Sequence, residues 1–174
     1  MANVLIIHHC LSMGGGEKLV YELAKFALEN NIKPLVLVTD YLEEYYDGIF
    51  RKMNVPVIRT RLNNISKLRH PKKIVKAVFW RLRLKYFSSK FDSVHVVNLS
   101  TADEIKNLIN HKKKYFWHVV NSIQYPDRKL PFSSELFKGK DYTIIFINEY
   151  QPQEIEEQYG EIGSKTINFK LFIN

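Results

Sequence analysis

Short apolar runs rich in β-branched residues alternate with segments of helical periodicity along most of this chain. Runs of this kind, apolar at every position, indicate strands that are buried on both faces of a parallel sheet. Right-handed crossovers between such strands predict an α/β, Rossmann-like, doubly wound and mainly parallel sheet. The predicted strands are 3–8, 34–39, 55–60, 94–99, 115–120 and 142–148, with a last extended run at 166–173, and the predicted helices are 17–30, 71–87, 101–110 and 152–159.

The length of 174 residues is that of one ordinary domain, and we expect residues 1–174 to form a single Rossmann-like domain. Cys10 is the only cysteine, so no internal disulfide can form. No apolar run approaches the roughly 20 residues needed to span a bilayer, and no basic segment precedes the first strand. We therefore expect a cytoplasmic protein, free or bound peripherally at the inner face of the cell membrane.

The positive charge is concentrated in one segment. Lysine and arginine number 26 against 18 acidic residues, and 13 of these bases lie between Gly48 and Phe91, where no acid occurs. The remainder of the chain carries a small excess of acids. This asymmetry predicts an anionic partner for the basic segment, namely lipid, nucleic acid or a phosphorylated substrate.

Three consecutive glycines, Gly14, Gly15 and Gly16, follow the first predicted strand and precede Glu17 at the start of a helix. Glycines allow close approach of a ligand to the backbone, and a helix N-terminus offers unpaired N–H groups to an anion. A phosphate or diphosphate at this loop is therefore physically reasonable. The dinucleotide fingerprint and the P-loop pattern are both absent, and a tight turn that requires positive φ is the alternative explanation.

The stretch NVLIIHHCLSMGGGEKLVYELAKFALENNIKPLVLVTD resembles the opening of the large retaining, family 4-like group of GT-B glycosyltransferases. The resemblance rests on the loop from Gly14 to Glu17, the amphipathic helix and the following strand. Residues 91–96, 115–118, 144–149 and 165–174 resemble, in order, later strands of the same N-terminal domain. The sequence departs from the family pattern at Val97, Val119 and Asn148.

This resemblance implies the N-terminal, acceptor-side half of an enzyme that moves a sugar from a nucleotide-sugar donor to a growing, lipid-linked glycan of the cell envelope. The C-terminal donor domain, which would bind most of the nucleotide sugar, is absent from this chain and would come from a longer polypeptide or a partner chain. The isolated chain is therefore predicted to be inactive. No cofactor is expected beyond the co-substrate. The donor diphosphate would face Gly14, Gly15, Gly16 and Glu17.

Polar residues at predicted strand ends are the candidates for the acceptor cleft. The resemblance and the imidazole chemistry together favour His118 as the residue that positions or polarises a sugar hydroxyl. A histidine hydrogen-bonded within the fold is the alternative. Asn98, Asn148 and Glu149 are expected to line the same cleft. No metal is expected, because Cys10 with two adjacent histidines lacks the spacing of known zinc sites.

The predicted basic helix carries apolar residues on two sides. Val75, Val78, Phe79, Leu82 and Tyr86 are expected to pack on the sheet. The opposite side is expected to bind an anionic membrane surface through Lys73, Lys76, Trp80, Arg83, Leu84 and Phe87. Contact with another domain is an alternative, and nucleic-acid binding is a weaker one, because no recognised nucleic-acid module is present.

A second interpretation of the whole chain stays open at this point. A Rossmann-like domain can also serve as a non-catalytic binding module or subunit that holds a phosphorylated ligand or a partner protein. The two interpretations differ in whether a second chain or a downstream segment restores sugar transfer.

Overall fold

The computed structural model describes residues 2–40, 42–60, 62 and 71–169. Among these residues, seven parallel strands form one sheet in the order β3-β2-β1-β4-β5-β6-β7. The strands are β1 (Asn3–His8), β2 (Lys33–Val38), β3 (Val57–Arg59), β4 (Ser93–Val97), β5 (Lys114–His118), β6 (Thr143–Phe146) and β7 (Lys165–Asn168). The predicted Rossmann-like, doubly wound sheet is confirmed, and the strand order reverses between β1 and β4.

In the described ranges, five α-helices cover the two faces of the sheet: α1 (Gly15–Glu29), α2 (Tyr45–Lys52), α3 (Pro71–Ser88), α4 (Leu99–Ile105) and α5 (Gln151–Tyr159). Successive side chains of a strand point to opposite faces, so each strand contributes to two cores. Val4 and Ile6 of β1 pack with α1 and α2, whereas Leu5 and Ile7 pack in the core that α3, α4 and α5 cover. Both faces are therefore apolar, which explains the continuous apolar runs of the sequence.

Helix α2 was not expected from the sequence, because its eight residues contain only a few apolar positions. Its start is fixed by a reciprocal cap: the backbone N–H of Glu44 donates to Asp47 Oδ2 at 2.8 Å, and the side chain of Glu44 accepts from the backbone of the first turn. Arg59 at the end of β3 forms an ion pair with the same Asp47. Phe50 then anchors the helix in the core.

The orientation of α3 is the reverse of the prediction. Leu84 is completely buried, and Trp80 and Phe87 pack against the core that lies beneath α4 and α5. Leu82, on the side expected to face the sheet, is 73% exposed. The rest of that side is exposed as well: Val75, Val78, Phe79 and Tyr86. Two apolar stripes of similar size made the inside and outside of this helix hard to distinguish from periodicity alone.

The predicted membrane face is therefore wrong for Trp80, Leu84 and Phe87, which contribute to the core. Arg83 is exposed and stacks on the rings of Phe79 and Trp80, at 5.7 Å and 5.3 Å from their centroids. The side chains of Lys73 and Lys76 lie outside the described residues. No helix within the described ranges combines the length and the apolar character that crossing a bilayer would require.

The long segment between β5 and β6 forms three short 3-10 turns rather than an open loop, at Ser122–Gln124, Pro126–Arg128 and Ser134–Phe137. Side chains of α5 fasten it: Gln158 bonds the backbone of Leu130 and Arg128, and the hydroxyl of Tyr159 donates to the Leu130 carbonyl at 2.7 Å. The segment thus forms a fixed cover over the end of β5.

Candidate functional site

A cavity of about 240 Å³ opens between the carboxyl ends of β1 and β4 and the first turn of α1. This is the place where the strand order reverses, and ligands of open α/β sheets bind outside the carboxyl ends of strands at such a point. The cavity is lined by His8, His9, Gly15, Gly16, Glu17, Asn98, Val119, Val120 and Gln124. The structure therefore brings Gly15, Gly16 and Glu17, predicted to face the donor diphosphate, together with Asn98, predicted to line the acceptor cleft.

Glu17 is the centre of a polar network in this site. Its Oε1 accepts hydrogen bonds from the thiol of Cys10 at 3.0 Å and from the hydroxyl of Ser12 at 3.2 Å, and it lies 3.5 Å from His8 Nε2. The residues that bind it come from the end of β1 and from the loop that follows. The network therefore joins the first turn of α1 to the strand before it.

The carboxyl group of Glu17 is ionised at neutral pH. Burial raises the pKa of this carboxyl, but contacts with His8, with the Cys10 thiol and with its own backbone N–H outweigh burial and lower the pKa to about 2. The pKa of the Cys10 thiol shifts in the opposite direction. Burial, reinforced by its hydrogen bond to Glu17, raises the pKa of the thiol to about 11, so that Cys10 stays protonated as a donor.

His8 is buried, and its ring is fixed from one side. Nδ1 lies 2.6 Å from the carbonyl oxygen of Val97, the last residue of β4. Since a carbonyl can only accept, Nδ1 carries the proton in that bond and Nε2 points toward Glu17. The bond links the ends of the two strands that border the cavity.

Two of the three glycines provide space for this network. A Cβ on Gly14 would lie 2.4 Å from Glu17 Oε2, and one on Gly16 would lie 3.3 Å from the ring of His8. Gly14 has extended backbone with φ −166°, and no glycine of the loop has positive φ. The alternative explanation from the sequence, a tight turn that requires positive φ, is therefore wrong. Glycine is needed here because side chains approach the backbone closely.

Gly15 differs from its neighbours, because nothing lies within 4 Å of a Cβ built on it. It is the first residue of α1, and no side chain caps the N-terminus of this helix. Gly15 and Gly16 line the cavity, so the positive end of the helix dipole lies beside it. This arrangement suits a bound anion.

Asn98 lies at the far side of the cavity with φ 87°, a left-handed conformation that is uncommon for a residue other than glycine. Its side-chain oxygen caps α4 by accepting from the N–H of Ser100 at 2.9 Å, and its own N–H donates to the Trp117 carbonyl. Backbone strain of this kind persists where the surroundings impose it, often at ligand sites.

His118 does not line this cavity. Its side chain is fully buried on the opposite face of the sheet, with Phe132 and Phe146 packed edge-on at centroid distances of 5.8 Å and 6.0 Å. Neither ring nitrogen has a hydrogen-bond partner among the described residues. Burial lowers the pKa of His118 to about 4, so the ring is neutral at pH 7. These surroundings do not support the expected contact with a sugar hydroxyl.

Asn148 and Glu149 are exposed beyond the end of β6 and are not part of the cavity lining. The side-chain oxygen of Asn148 accepts from the N–H groups of Tyr150 and Gln151 at 3.0 Å, which caps α5. Gln151, which the sequence reasoning passed over, is buried and donates to the carbonyls of His118 and Val120. The side chains of Asn148 and Gln151 therefore stabilise the local backbone by hydrogen bonds, and neither residue lines the cavity.

Sequence reasoning also missed Cys10 and Ser12 as partners of Glu17. The available signal was their distance from Glu17 along the chain, seven and five residues, which lets the end of β1 face the first turn of α1. An atom from each of His8, His9 and Cys10 lies close enough to the others to hold a metal ion. That cluster lies at the rear of the same site.

No family model matches the chain, and no curated protein matches it in sequence. Over 99% of its length the chain superposes on a solved glycosyltransferase structure from Rickettsia africae ESF-5, with a TM-score of 0.61 and 16% sequence identity. The match covers 44% of that protein, so the chain spans less than half of its length. MurG of Acinetobacter baumannii is a more distant match, with a TM-score of 0.45, 15% identity, and coverage of 99% of this chain and 67% of MurG. The fold is thus that of one Rossmann-like part of a glycosyltransferase structure.

Proposed function

We propose that this chain is the acceptor-binding half of a glycosyltransferase that moves a sugar from a nucleotide-sugar donor to a growing, lipid-linked glycan. The observation that carries the proposal is the cavity at the switch point of the sheet. An ionised carboxylate, an uncapped helix N-terminus and a strained asparagine meet there. The resemblance of the sequence around Gly14 to Glu17 and the likeness in fold to the Rickettsia glycosyltransferase support it.

The donor diphosphate is assigned to the N-terminus of α1. Gly15 and Gly16 line the cavity and carry no side chain, so phosphate oxygens could approach the backbone of the first turn. Glu17 Oε1 is turned toward Cys10, Ser12 and His8.

The acceptor is assigned to the cavity floor. A carboxylate that stays ionised down to a pH of about 2 accepts a hydrogen bond from a sugar hydroxyl under all ordinary conditions. Oε1 has three neighbours, which leaves Oε2, beside Gly14, as the oxygen that we assign to the acceptor hydroxyl. Asn98 borders the same space from the β4 side.

The missing half is assigned to a second domain or a partner chain. On the α1 side of the sheet an apolar groove of about 580 Å³ runs beside β4 and β5, lined among others by Leu23, Phe26, His95, Trp117 and Phe169. Phe26 is 62% exposed and Phe169 48% exposed. An exposed apolar surface of this kind suits contact with a further domain of a larger enzyme.

Membrane attachment is assigned to the exposed side of α3. Phe79 and Leu82 lie at its centre, Arg83 flanks them, and α3 contains no acidic residue. Apolar side chains bordered by cations suit the headgroup region of an anionic bilayer. An enzyme that acts on lipid-linked acceptors would gain access to its substrate in this way.

The function is tested with the native assembly, purified from source cells through a tag on this chain. Radiolabelled UDP-glucose, UDP-N-acetylglucosamine and GDP-mannose are supplied with membranes of the same cells as acceptor. We expect one donor to label the glycan or lipid fraction, and Glu17→Gln to reduce the rate at least a hundredfold, within the range of a group that contacts a reacting hydroxyl. Glu29→Gln, an exposed carboxylate on the same helix, is the control.

Failure of every donor, or equal rates for Glu17→Gln and Glu29→Gln, would contradict the proposal and favour the non-catalytic binding module. The isolated 174-residue chain is expected to transfer no label. Transfer by the isolated chain would show that it is not half of an enzyme.

The membrane assignment is tested by co-sedimentation with vesicles of phosphatidylcholine alone and with vesicles that also contain about 30% phosphatidylglycerol, an anionic lipid. We expect binding only to the anionic vesicles and its loss in the double variant Phe79→Glu with Leu82→Glu. Phe26→Glu, which places a charge at an exposed ring on α1, should bind like the wild type. Equal loss in both variants would refute a specific α3 surface.

A further inference from the structure

Four side chains with metal-ligating atoms converge at the rear of the cavity. One nitrogen from each of His8 and His9 lies within 4.8 Å of the other and of Cys10 Sγ. Glu17 Oε1 lies 3.0 Å from Cys10 Sγ and 3.5 Å from His8 Nε2. The group offers two nitrogens, one sulfur and one oxygen.

Three of the spacings among these atoms can be compared with those around a tetrahedral ion. Zinc bonds of about 2.0–2.3 Å at tetrahedral angles place neighbouring ligand atoms about 3.3–3.8 Å apart. The 3.5 Å from Glu17 Oε1 to His8 Nε2 lies within that range, and the contacts of 3.0 Å from Cys10 Sγ to His9 Nε2 and to Glu17 Oε1 are shorter than it. The side chains would therefore have to rotate to open around an ion.

The orientation of His8 supports a ligand role independently. Its ring is almost completely buried, and Nε2 has no hydrogen-bond partner among the described residues. Nδ1 is fixed by the Val97 carbonyl at 2.6 Å. A backbone carbonyl on one ring nitrogen is the usual way in which a protein fixes the tautomer of a ligating histidine and directs the other nitrogen at the metal.

We propose that His8, His9, Cys10 and Glu17 bind one divalent ion of the zinc class. Mixed nitrogen, sulfur and oxygen donors suit Zn²⁺ and Co²⁺ better than Mg²⁺ or Ca²⁺, which require oxygen ligands. As the sulfur–metal bond forms, the S–H bond of Cys10 breaks and its proton passes to solvent. This departs from the expectation of no metal, which considered His8, His9 and Cys10 without the carboxylate that α1 brings to them.

The ion has a route to the site. His8, His9 and Glu17 all line the cavity, which opens to solvent at the carboxyl edge of the sheet. Glu17 Oε1 is the oxygen directed at the cluster, so the assignment of Oε2 to an acceptor hydroxyl does not conflict with it. The metal site does not depend on the proposed sugar transfer.

The experiment uses the full 174-residue chain, stripped with a chelator, kept under reductant and titrated with CoCl₂. We expect saturation at one equivalent, with the strong visible bands of tetrahedral cobalt and a thiolate-to-cobalt charge-transfer band in the near ultraviolet. One equivalent of ZnCl₂ should remove both. Absence of these bands in the wild type would overturn the proposal.

Cys10→Ser is the decisive variant, because the hydroxyl keeps the polar contact and the fold while removing the sulfur. It should lose the charge-transfer band and bind cobalt at least tenfold more weakly, and Glu17→Gln should also weaken binding at least tenfold. His111→Ala, in the turn before β5, should leave the titration unchanged. Cobalt binding that survives Cys10→Ser intact, or that His111→Ala removes, would place the ion elsewhere and overturn the proposal. Far-ultraviolet circular dichroism of each variant verifies that it is folded.

Discussion

Two histidines end two strands of the same sheet, and the protein uses them in opposite ways. His8 ends β1, is held by the Val97 carbonyl, and faces an ionised carboxylate beside an open cavity. His118 ends β5, two strands away, and is enclosed by Phe132 and Phe146 without a hydrogen-bond partner among the described residues. Both side chains are almost completely buried.

The difference between the His8 end and the His118 end lies in the segment that follows each strand. After β1 the chain supplies small residues and Glu17, so a polar network and a cavity form. After β5 it supplies a long segment with aromatic residues, which α5 fastens over the strand end. The position of a histidine at the carboxyl edge of a parallel sheet is therefore insufficient to make it a functional residue.

The largest expected effect on stability separates the two histidines directly. His8→Leu removes the hydrogen bond to the Val97 carbonyl and the imidazole that lies 3.5 Å from Glu17 Oε1. We expect a loss of about 3 kcal/mol in the free energy of unfolding at pH 7. His118→Leu should cost nothing or should stabilise the protein, since two unpaired buried nitrogens are replaced by an apolar group. Urea unfolding at pH 7 measures both, and an equal loss in the two variants would end the distinction.

The second prediction concerns how the free energy of unfolding depends on pH. His118 has a pKa of about 4 in the folded protein against 6.5 when unfolded, so the unfolded chain binds more protons as the pH falls. Protonation of His118 therefore does not affect the free energy of unfolding above pH 6.5 and lowers it progressively as the pH falls from 6.5 to 4. Between pH 7 and pH 5 this amounts to about 2 kcal/mol, from the two pKa values.

We therefore expect His118→Leu to reduce the drop in unfolding free energy between pH 7 and pH 5 by that amount. His95, half-buried in β4 with a pKa lowered to about 4 by desolvation, should still produce a drop in the variant. An unchanged pH dependence in His118→Leu would mean that the ring is hydrated or paired in solution.

The smallest effect tests the glycine loop. In Gly14→Ala the new Cβ would displace the Glu17 carboxylate, at an expected cost of about 1 kcal/mol. Gly15→Ala is the matched control: its Cβ meets nothing within 4 Å, and alanine is the better helix former, so stability should stay equal or rise slightly. The stabilities of the two variants are compared with that of the wild type by thermal unfolding at pH 7. A larger loss in Gly15→Ala would contradict the account of this loop.

The sheet was predictable because its strands are buried on both faces, which leaves a continuous apolar run for each of β1, β2, β4, β5 and β6. The short helix α2 was not predictable from the sequence, because its start is determined by a side-chain cap rather than by apolar periodicity. The positions of Gly15, Gly16 and Asn98 after strands indicated that each lies at the carboxyl edge of the sheet, but not that they line one cavity. The sequence did not indicate the burial of His118, because that burial depends on Phe132, which lies fourteen residues further along the chain.

The inversion of α3 has a related physical cause. Leu82 and Leu84 are identical in type and two residues apart, and they lie on opposite sides of the helix. Which one is buried depends on the shape of the sheet surface, which a single sequence does not encode locally. In the structure, Leu84 meets the core and Leu82 is exposed.

The most direct test of the central claim, that the functional site is the β1 edge around Glu17, compares two variants in one assay. Sugar transfer by the native assembly is measured with Glu17→Gln and with His118→Leu at saturating donor. The account predicts at least a hundredfold loss for Glu17→Gln and a rate within about threefold of the wild type for His118→Leu. Loss of transfer in His118→Leu with full activity in Glu17→Gln would contradict it and would place the chemistry at the end of β5.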